Sequence, residues 1–210
     1  MRRTWTGKGS ETGLVKEWEW GNSDALMPID PIITERLRCR APLLGDARQY
    51  DALVSSVEVG AWLRPPPLDP FQATDATQWL TSDVEHWRAH RFGPWLLFER
   101  RNGGFVGRAG LRWTEVEGQR AIELAWALLP QWWGRGLATE AAVAAIAVAR
   151  DRGVDRLVAF TLISNVASRR VMEKAGLRLV GEIEHAGLPH VLYQIDLGGP
   201  HTKRPTPRDR

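Results

Sequence analysis

The chain has little that could cross-link it or anchor it in a membrane. Its single cysteine, Cys39, excludes an internal disulfide framework and a zinc site built on cysteines, and it is compatible with a reducing compartment. The longest apolar run, residues 141–149, is bounded by Glu140 and Arg150 and is too short to span a bilayer. No apolar stretch of signal-peptide type follows the arginines near the N-terminus. These absences predict a cytoplasmic protein with no membrane partner.

The chain also has little net charge outside its last residues. The formal net charge is +3, and residues 198–210 hold four basic side chains and one acidic one. Residues 1–197 are therefore neutral, although the sequence pI is about 9.4. Because nucleic-acid binding usually needs a positive field over the folded body, this distribution argues against a nucleic-acid partner.

Length and patterning indicate one folded domain. The chain has 210 residues, 43% of them hydrophobic and 25% charged, which fits a globular protein with a full core. We interpret residues 1–28 as an N-terminal extension of uncertain order, residues 29–197 as the folded domain and residues 198–210 as a flexible basic tail. Hydrophobic periodicity predicts, in chain order, a strand at 32–40, helices at 44–59 and 73–90, strands at 94–99, 104–113 and 121–129, a helix at 136–150, a strand at 156–162, a helix at 165–175, and strands at 177–183 and 190–197.

The segment from residue 121 to residue 162 is predicted to form a β-α-β crossover with two parallel strands. At its strand-to-helix turn, Gly134 and Gly136 allow consecutive N–H groups to point at one spot beside the positive end of the helix dipole. This favours an anion-binding turn suited to a pyrophosphate, although paired glycines can also serve tight packing alone. Thr139 stands where the dinucleotide fingerprint needs a glycine or alanine, and the turn lacks the lysine of a P-loop.

Two sequence blocks, PQWWGRGLATEA and the later NVASRRVMEKAGLRLVGE, resemble the GNAT superfamily of N-acetyltransferases and look most like its RimJ/RimL-type branch. The resemblance extends to TERLRCRAPLLGDARQYDAL and so covers roughly residues 32–197. It implies an α/β fold with a mixed, mostly antiparallel sheet of seven strands, splayed at an acetyl-CoA cleft and flanked by helices. It also implies transfer of an acetyl group from acetyl-CoA to a primary amine, either a protein N-terminus or a small molecule, by direct attack. The resembled branch commonly forms homodimers.

The resemblance assigns residues to the cofactor, with no metal. We place the family's phosphate-binding pattern, Gln/Arg-x-x-Gly-x-Gly/Ala, at Trp133, Gly136 and Ala138, so that Trp133 replaces the usual polar residue. Gln131, Gly134 and Gly136 match the pattern two residues earlier, which we take as a coincidence of spacing. The residues expected to bind acetyl-CoA are Ala127, Leu128 and Leu129 at the end of a bulged strand, Trp133, Gly134, Arg135, Gly136, Leu137, Ala138 and Thr139 in the turn, and Asn165 and Arg170 beyond it.

Three residues are candidates for catalysis. The resemblance places Asn165 and Ser168 at positions that bind the cofactor and protonate the leaving thiolate, and the alternative is a purely structural helix cap. Many relatives use a tyrosine four residues after the serine, where this chain has Met172. Glu123 is flanked by two aliphatic residues, so its side chain is expected to project from the strand face opposite to theirs. It is either the general base or a solvated strand carboxylate.

The chain contains eleven tryptophans, which is unusual. Some of them are expected either to wall an aromatic amine pocket or to pack in the core. The four candidates for the pocket are Trp62, Trp95, Trp113 and Trp126. His86 and His90 lie four residues apart on a predicted helix, but they lack a third ligand, so no metal site is expected there.

A second function is also compatible with the sequence. A catalytically degenerate GNAT-like module would bind an acyl-CoA or a protein partner without turnover. Trp133 and the absent tyrosine favour this alternative, whereas the presence of Glu123 and Ser168 argues against it.

Overall fold

A computed structural model describes residues 31–198. The interpreted N-terminal extension and residues 199–210 of the interpreted tail lie outside the described residues. The strands are β1 (Ile32–Ile33), β2 (Leu37–Arg40), β3 (Pro94–Glu99), β4 (Phe105–Val116), β5 (Gln119–Leu128), β6 (Arg156–Leu162), β7 (Arg178–His185) and β8 (Leu188–Asp196). The helices are α1 (Ala47–Val54), α2 (Val57–Leu63), α3 (Ala73–His90), α4 (Leu137–Asp151) and α5 (Val166–Lys174), and a 3-10 turn, Pro130–Trp132, precedes α4.

The strands form one mixed sheet in the order β1-β2-β3-β4-β5-β6-β8-β7. β5 and β6 pair in parallel, and the other neighbours pair antiparallel. The predicted mixed, mostly antiparallel sheet and the β-α-β crossover are therefore confirmed. The sheet has eight strands, so the expectation of seven was wrong by one.

The additional strand arises from a turn inside the segment predicted as a single strand at 32–40. Thr34 donates its backbone N–H to the carbonyl of Leu37, and its hydroxyl accepts the Leu37 N–H at 3.0 Å. The two bonds reverse the chain, and β1 folds back antiparallel on β2. Side-chain capping of this kind leaves no mark on hydrophobic periodicity, which explains the missed turn.

The helix predicted at 44–59 is also divided, into α1 and α2. Ser56 caps α2, because its hydroxyl accepts the N–H of Val59 while its own backbone is extended. Three other predicted elements are confirmed with unchanged bounds, namely α3, β3 and β6.

Helices cover both faces of the sheet. On one face, α4 and α5 pack on the largest core cluster, which includes Ala141, Ala145, Leu124 and Leu157. On the other face, α1 and α3 pack against β3 through a second cluster that contains Tyr50 and Leu96. None of the helices between residues 31 and 198 combines the length and hydropathy needed to cross a membrane.

Candidate active site

The sheet opens between β5 and β6. In the described chain, the two strands share a single register pairing, Glu123 with Val158, although each continues for several residues beyond it. The antiparallel register of β4 and β5 runs without a shift from Gly107–Leu128 to Val116–Gln119. The opening therefore forms without a β-bulge in β5, which corrects the bulge expected at the strand end. Because β5 and β6 are parallel, the segments that follow them emerge at the same edge of the sheet.

The turn after β5 presents backbone donors at that edge. Gly134 and Gly136 have φ angles of +72° and +76°, a region that favours glycine. Helix α4 begins directly after Gly136, and Glu140 is the residue whose N–H bonds back to the Gly136 carbonyl. The N–H groups of the first helical residues, 137–139, have no intrahelical acceptor and carry the positive end of the helix dipole.

This geometry bears on the placement of the phosphate-binding pattern. The two glycines in left-handed conformations are Gly134 and Gly136, whereas Ala138 already lies inside α4. The match that begins at Gln131 therefore agrees with the backbone better than the one that begins at Trp133. The φ angles thus favour the spacing that we took as a coincidence, because both of its glycine positions need a residue that tolerates positive φ.

Two tryptophans hold this turn to the sheet. The indole Nε1 of Trp133 donates to the Leu128 carbonyl at 2.6 Å, and that of Trp132 donates to the Phe105 carbonyl at 2.8 Å. Trp133 thus braces the turn against the end of β5, although 42% of the residue is exposed. This bond gives Trp133 a structural role under either placement of the pattern.

Arg36 and Glu140 fix the same turn from the other side. The guanidinium of Arg36 donates to the Arg135 carbonyl and to the Glu140 carboxylate, both at 2.7 Å. Glu140 also accepts the Thr34 hydroxyl and the backbone N–H of Arg36. Burial tends to raise the pKa of Glu140, but these bonds and the charge of Arg36 leave it below its ordinary value, so the ion pair stays formed at neutral pH.

Glu123 lies at the pairing where β5 and β6 meet. It projects from the face opposite to Leu124, which packs in the α4 core, as predicted from the alternation of the strand. Burial raises the pKa of Glu123 above its ordinary value, and the positive charges of Arg112 and Arg108 oppose this shift. Within residues 31–198, its carboxylate forms no hydrogen bond or ion pair. It is a partly exposed carboxylate whose proton affinity is raised and whose oxygens are available to accept a proton.

A buried ionic network supports the Glu123 face. Arg108 pairs with Asp83 of α3 through Nε and through NH2, the latter at 2.6 Å, and Tyr50 of α1 donates its hydroxyl to the same carboxylate at 2.6 Å. Arg108 and Asp83 are 3% and 2% exposed. The ring of Trp79 covers the guanidinium at 4.7 Å. This network fixes α1 and α3 over the strand face that carries Glu123.

Asn165 and Ser168 lie at the start of α5, after β6, and so at the edge that also carries the glycine turn. Asn165 is buried, and its side-chain oxygen accepts the N–H of Ser168 at 3.0 Å. The structural cap considered for these residues is therefore present, and the partly exposed Ser168 hydroxyl has no hydrogen bond within the described chain. Met172 is buried in the core, and Arg170 is exposed on α5.

The structure does not gather the four candidate tryptophans into one pocket. Trp95 is a core residue with 3% exposure, and Trp113 and Trp126 pack against the same core, on the face opposite to Glu123. Trp62 lies on α2 and is 40% exposed. Three of the four therefore lie on the core face of their strands, and the face of each follows from strand alternation and register.

The histidines on α3 are occupied by structural contacts. The Nδ1 of His86 bonds to the carbonyl of Phe92 at 2.8 Å, and its Nε2 accepts the N–H of Trp113 at 2.9 Å. Burial lowers the pKa of His86 to about 4, so the ring is neutral at physiological pH. Among residues 31–198, no group of three potential metal ligands is present. Burial raises the pKa of Cys39 to about 12, so this thiol is inert.

Sequence reasoning missed the residues that surround Glu123. Asp83, Arg108 and Arg112 belong to a helix and a strand that are distant in sequence. One signal was available, since an arginine inside a strand that is otherwise apolar calls for a buried partner. Register was needed to place Arg112 opposite Glu123.

Comparison with known proteins agrees with this architecture. Residues 36–178 match the family model for the acetyltransferase (GNAT) domain. The chain belongs to the GNAT acetyltransferase family. The uncharacterized protein YkkB of Bacillus subtilis (strain 168) is 26% identical over 118 residues, which cover 56% of this chain and 69% of YkkB.

Solved structures show the same fold. A GnaT-family protein from Bordetella pertussis superposes with a TM-score of 0.68 at 25% identity, covering 78% of this chain and 98% of that one. RimL, a ribosomal-protein alpha-N-acetyltransferase solved in complex with coenzyme A, gives a TM-score of 0.62 at 18% identity over 79% and 97% of the two chains. The second likeness is one of fold, and the family branch is not decided by it.

Proposed function

We propose that this protein is an acetyl-CoA-dependent N-acetyltransferase that transfers an acetyl group to a primary amine within a ternary complex. The observation that carries the proposal is Glu123, a carboxylate without a partner in the described chain and with a raised pKa, at the point where β5 and β6 separate. From Glu123, β5 extends about 17 Å to its end at Leu128, at the rise of an extended strand, and the glycine turn follows the 3-10 turn after it. A base and an anion-binding turn thus stand at the two ends of one opening.

The residues at the edge of the sheet fit acetyl-CoA. The donors of residues 134–139 would hold the pyrophosphate, and at Gly134 an added Cβ would meet nothing within 4 Å, so the backbone faces open space. The strand end, Ala127 to Leu129, would line the pantetheine arm, with Asn165 and Arg170 across the opening. The Leu128 carbonyl already accepts a hydrogen bond from the Trp133 indole, so Leu128 would contact the pantetheine arm through its other atoms. When bound, acetyl-CoA supplies a thioester carbonyl for attack and a thiolate leaving group.

Glu123 would take the proton of the acceptor ammonium, directly or through a water molecule. Its raised pKa makes it a stronger base than an ordinary carboxylate, and the charges of Arg112 and Arg108 oppose that rise. The amine nitrogen would then form the new bond to the acetyl carbon as the carbon–sulfur bond breaks, and the second nitrogen proton would leave through water, to solvent or to the Ser168 oxygen. The Ser168 hydroxyl, or water beside it, would protonate the sulfur, because buried Met172 offers no acid.

The free energy needed to deprotonate the acceptor amine favours acceptors with a low amine pKa. An α-amino group near pKa 8 costs roughly 1.4 kcal/mol to deprotonate at pH 7, whereas a lysine near 10.4 costs about 4.6 kcal/mol. A single carboxylate base is better matched to the first. We therefore favour a peptide N-terminus or another amine of low pKa, which agrees with the RimJ/RimL-type resemblance, and we propose a cytoplasmic enzyme.

Calorimetric titration with acetyl-CoA, followed by measurement of thiol release with a panel of primary amines, tests the proposal. We expect micromolar binding and turnover with at least one amine. Glu123→Gln should lower kcat/KM by about 10²- to 10⁴-fold while leaving acetyl-CoA affinity unchanged. Glu115→Gln is the matched control, because Glu115 is an exposed carboxylate on β4, on the face opposite to Glu123.

The alternative, a module that binds acyl-CoA without turnover, gives a different result in the same experiment. Binding of acetyl-CoA without thiol release from any amine would favour that module, in which Glu123 has lost its role. Absence of binding at millimolar acetyl-CoA would overturn both functions. Ser168→Ala tests the acid separately, since loss of a proton donor to sulfur should lower kcat and leave the KM of the amine unchanged.

A further inference from the structure

Arg112 stands directly opposite Glu123 in the register of β4 and β5. Side chains of directly opposed residues in an antiparallel pair lie on the same face, and their Cα atoms are about 4.5–5.5 Å apart. The guanidinium of Arg112 and the carboxylate of Glu123 therefore project side by side from the face that α1 and α3 cover in part. The two groups are close enough for Arg112 to be the principal positive charge acting on Glu123.

Arg112 differs from its neighbour Arg108 on the same strand face. Arg108 is neutralised by Asp83 in the buried network. Within residues 31–198, the guanidinium of Arg112 has no hydrogen-bond or ion-pair partner, and the residue is only partly exposed. A partly desolvated guanidinium gains from an anion that it can bind through two parallel hydrogen bonds.

The charges that face this position leave room for an external anion. Glu123 is the acidic neighbour on β5, Asp83 on α3 is committed to Arg108, and His86 on the same helix is neutral. Glu123 and Arg112 thus form a pair of opposite charges, without direct contact, on one surface. A zwitterion with a carboxylate near its amine matches such a pair, with its ammonium at Glu123 and its carboxylate at Arg112.

We propose that Arg112 determines acceptor specificity by binding a carboxylate of the acceptor, so that the preferred substrates are primary amines with a carboxylate a few ångströms from the amino nitrogen. The inference rests on the proposed function of Glu123 as the base. The carboxylate can belong to a free amino acid or to the acidic side chain of an N-terminal residue. Either source places an ammonium at Glu123 and a carboxylate at Arg112. An acceptor without a carboxylate would leave Arg112 unpaired.

Matched acceptors that differ by one carboxylate test the inference and separate its two sources. One pair is alanine and alaninamide, and the other is a peptide that begins with aspartate and the same peptide that begins with asparagine. The wild-type protein should use the carboxylate member of at least one pair with the lower KM. Arg112→Gln should raise that KM by about 10- to 100-fold and leave the KM of the amide member within about twofold.

Two controls separate binding from a change in the base. Arg120→Gln removes an exposed arginine that covers Trp113 on the opposite face, and it should leave both KM values unchanged. If Arg112 acts on Glu123 alone, its loss raises the pKa of Glu123 and moves the acidic limb of the pH profile upward equally for both members of a pair. An unchanged ratio of KM values in Arg112→Gln would overturn the inference.

The inference can also be tested when no acceptor turns over. Alanine, the aspartate peptide and their amide counterparts are then titrated into the protein saturated with coenzyme A. Binding that needs the carboxylate and is lost in Arg112→Gln would support the inference while the proposed catalysis fails. Equal binding of both members, or the absence of binding by either, would overturn it.

Discussion

On one face of the sheet, the alanines of helix α4 pack against β4 and β5. On the other face, helix α3 is joined to β4 by the Asp83–Arg108 ion pair. The first face is closed by small apolar side chains such as Ala141 and Ala145, which allow the helix to lie near the strands. The second face keeps Glu123 and Arg112 partly exposed. The same two strands thus carry an apolar face that stabilises and a polar face that can react.

The comparison shows how a strand pair can serve both purposes at once. Because side chains alternate along a strand, Leu124 lies in the core while its neighbour Glu123 lies on the opposite, polar face. The polar face requires support that hydrophobic packing cannot give, and the buried network with Tyr50 provides it. Variants on each face should therefore fail in different ways.

Breaking the ion pair of the polar face should have the largest effect on stability. Asp83→Asn leaves the Arg108 charge buried without its partner, and the free energy of unfolding should fall by about 3–5 kcal/mol. Denaturant unfolding followed by circular dichroism measures it. Asp196→Asn is the control, because its pair with Arg156 is exposed and should change stability by about 0–1 kcal/mol. Equal effects of the two variants would contradict the importance of burial.

Enlarging a side chain on the apolar face should have a smaller effect. Ala145 has no exposed surface, and Ala145→Leu should lower the free energy of unfolding by about 1–3 kcal/mol through overpacking against the sheet. Ala147→Leu, at an exposed position of the same helix, should be close to neutral. Thermal unfolding of both variants is the measurement, and a tolerated Ala145→Leu would show that α4 is not closely packed.

The last expected effect is confined to acidic pH and concerns the pH dependence of stability at His86, three residues beyond Asp83 on α3. Because burial lowers the folded-state pKa to about 4 from 6.5, the unfolded state binds more protons between these values. Stability from this group is present above about pH 6.5 and is lost as the pH falls toward 4. His86→Gln should flatten that part of the stability curve, measured by denaturant unfolding at several pH values. An unchanged slope would assign the dependence to other groups.

Much of the fold could be predicted because its elements are long and regular. Helix α3 and strands β3 and β6 follow hydrophobic periods without interruption, and their bounds were predicted as they stand. The predicted elements failed where local hydrogen bonds override periodicity, at Thr34 between β1 and β2 and at Ser56 before α2. The continuous register of β4 and β5 was also beyond prediction, since it depends on strand pairing over the whole length of both strands.

The candidate site could be predicted in part. Glu123 and the glycine turn lie on a single stretch of chain, so a strand followed by a turn and a helix places them without knowledge of other elements. The placement of the phosphate-binding pattern stays a prediction, and the positive φ angles of Gly134 and Gly136, which cannot be derived from the sequence, favour the match that begins at Gln131. The four tryptophans could not be assigned to a pocket from the sequence, since the sheet face that a strand tryptophan occupies depends on strand register.

The sequence by itself determined the family, the crossover from β5 to β6 and the residues that stand on it, because these follow from contiguous patterns of apolar, glycine and capping residues. Tertiary structure decided what surrounds Glu123. Asp83, Arg108 and Arg112 come together only when α3 docks on β4 and β4 pairs with β5 in one register. Contacts between distant segments, and the pKa that burial gives a carboxylate among them, are properties of packing and are written in no single stretch of the chain.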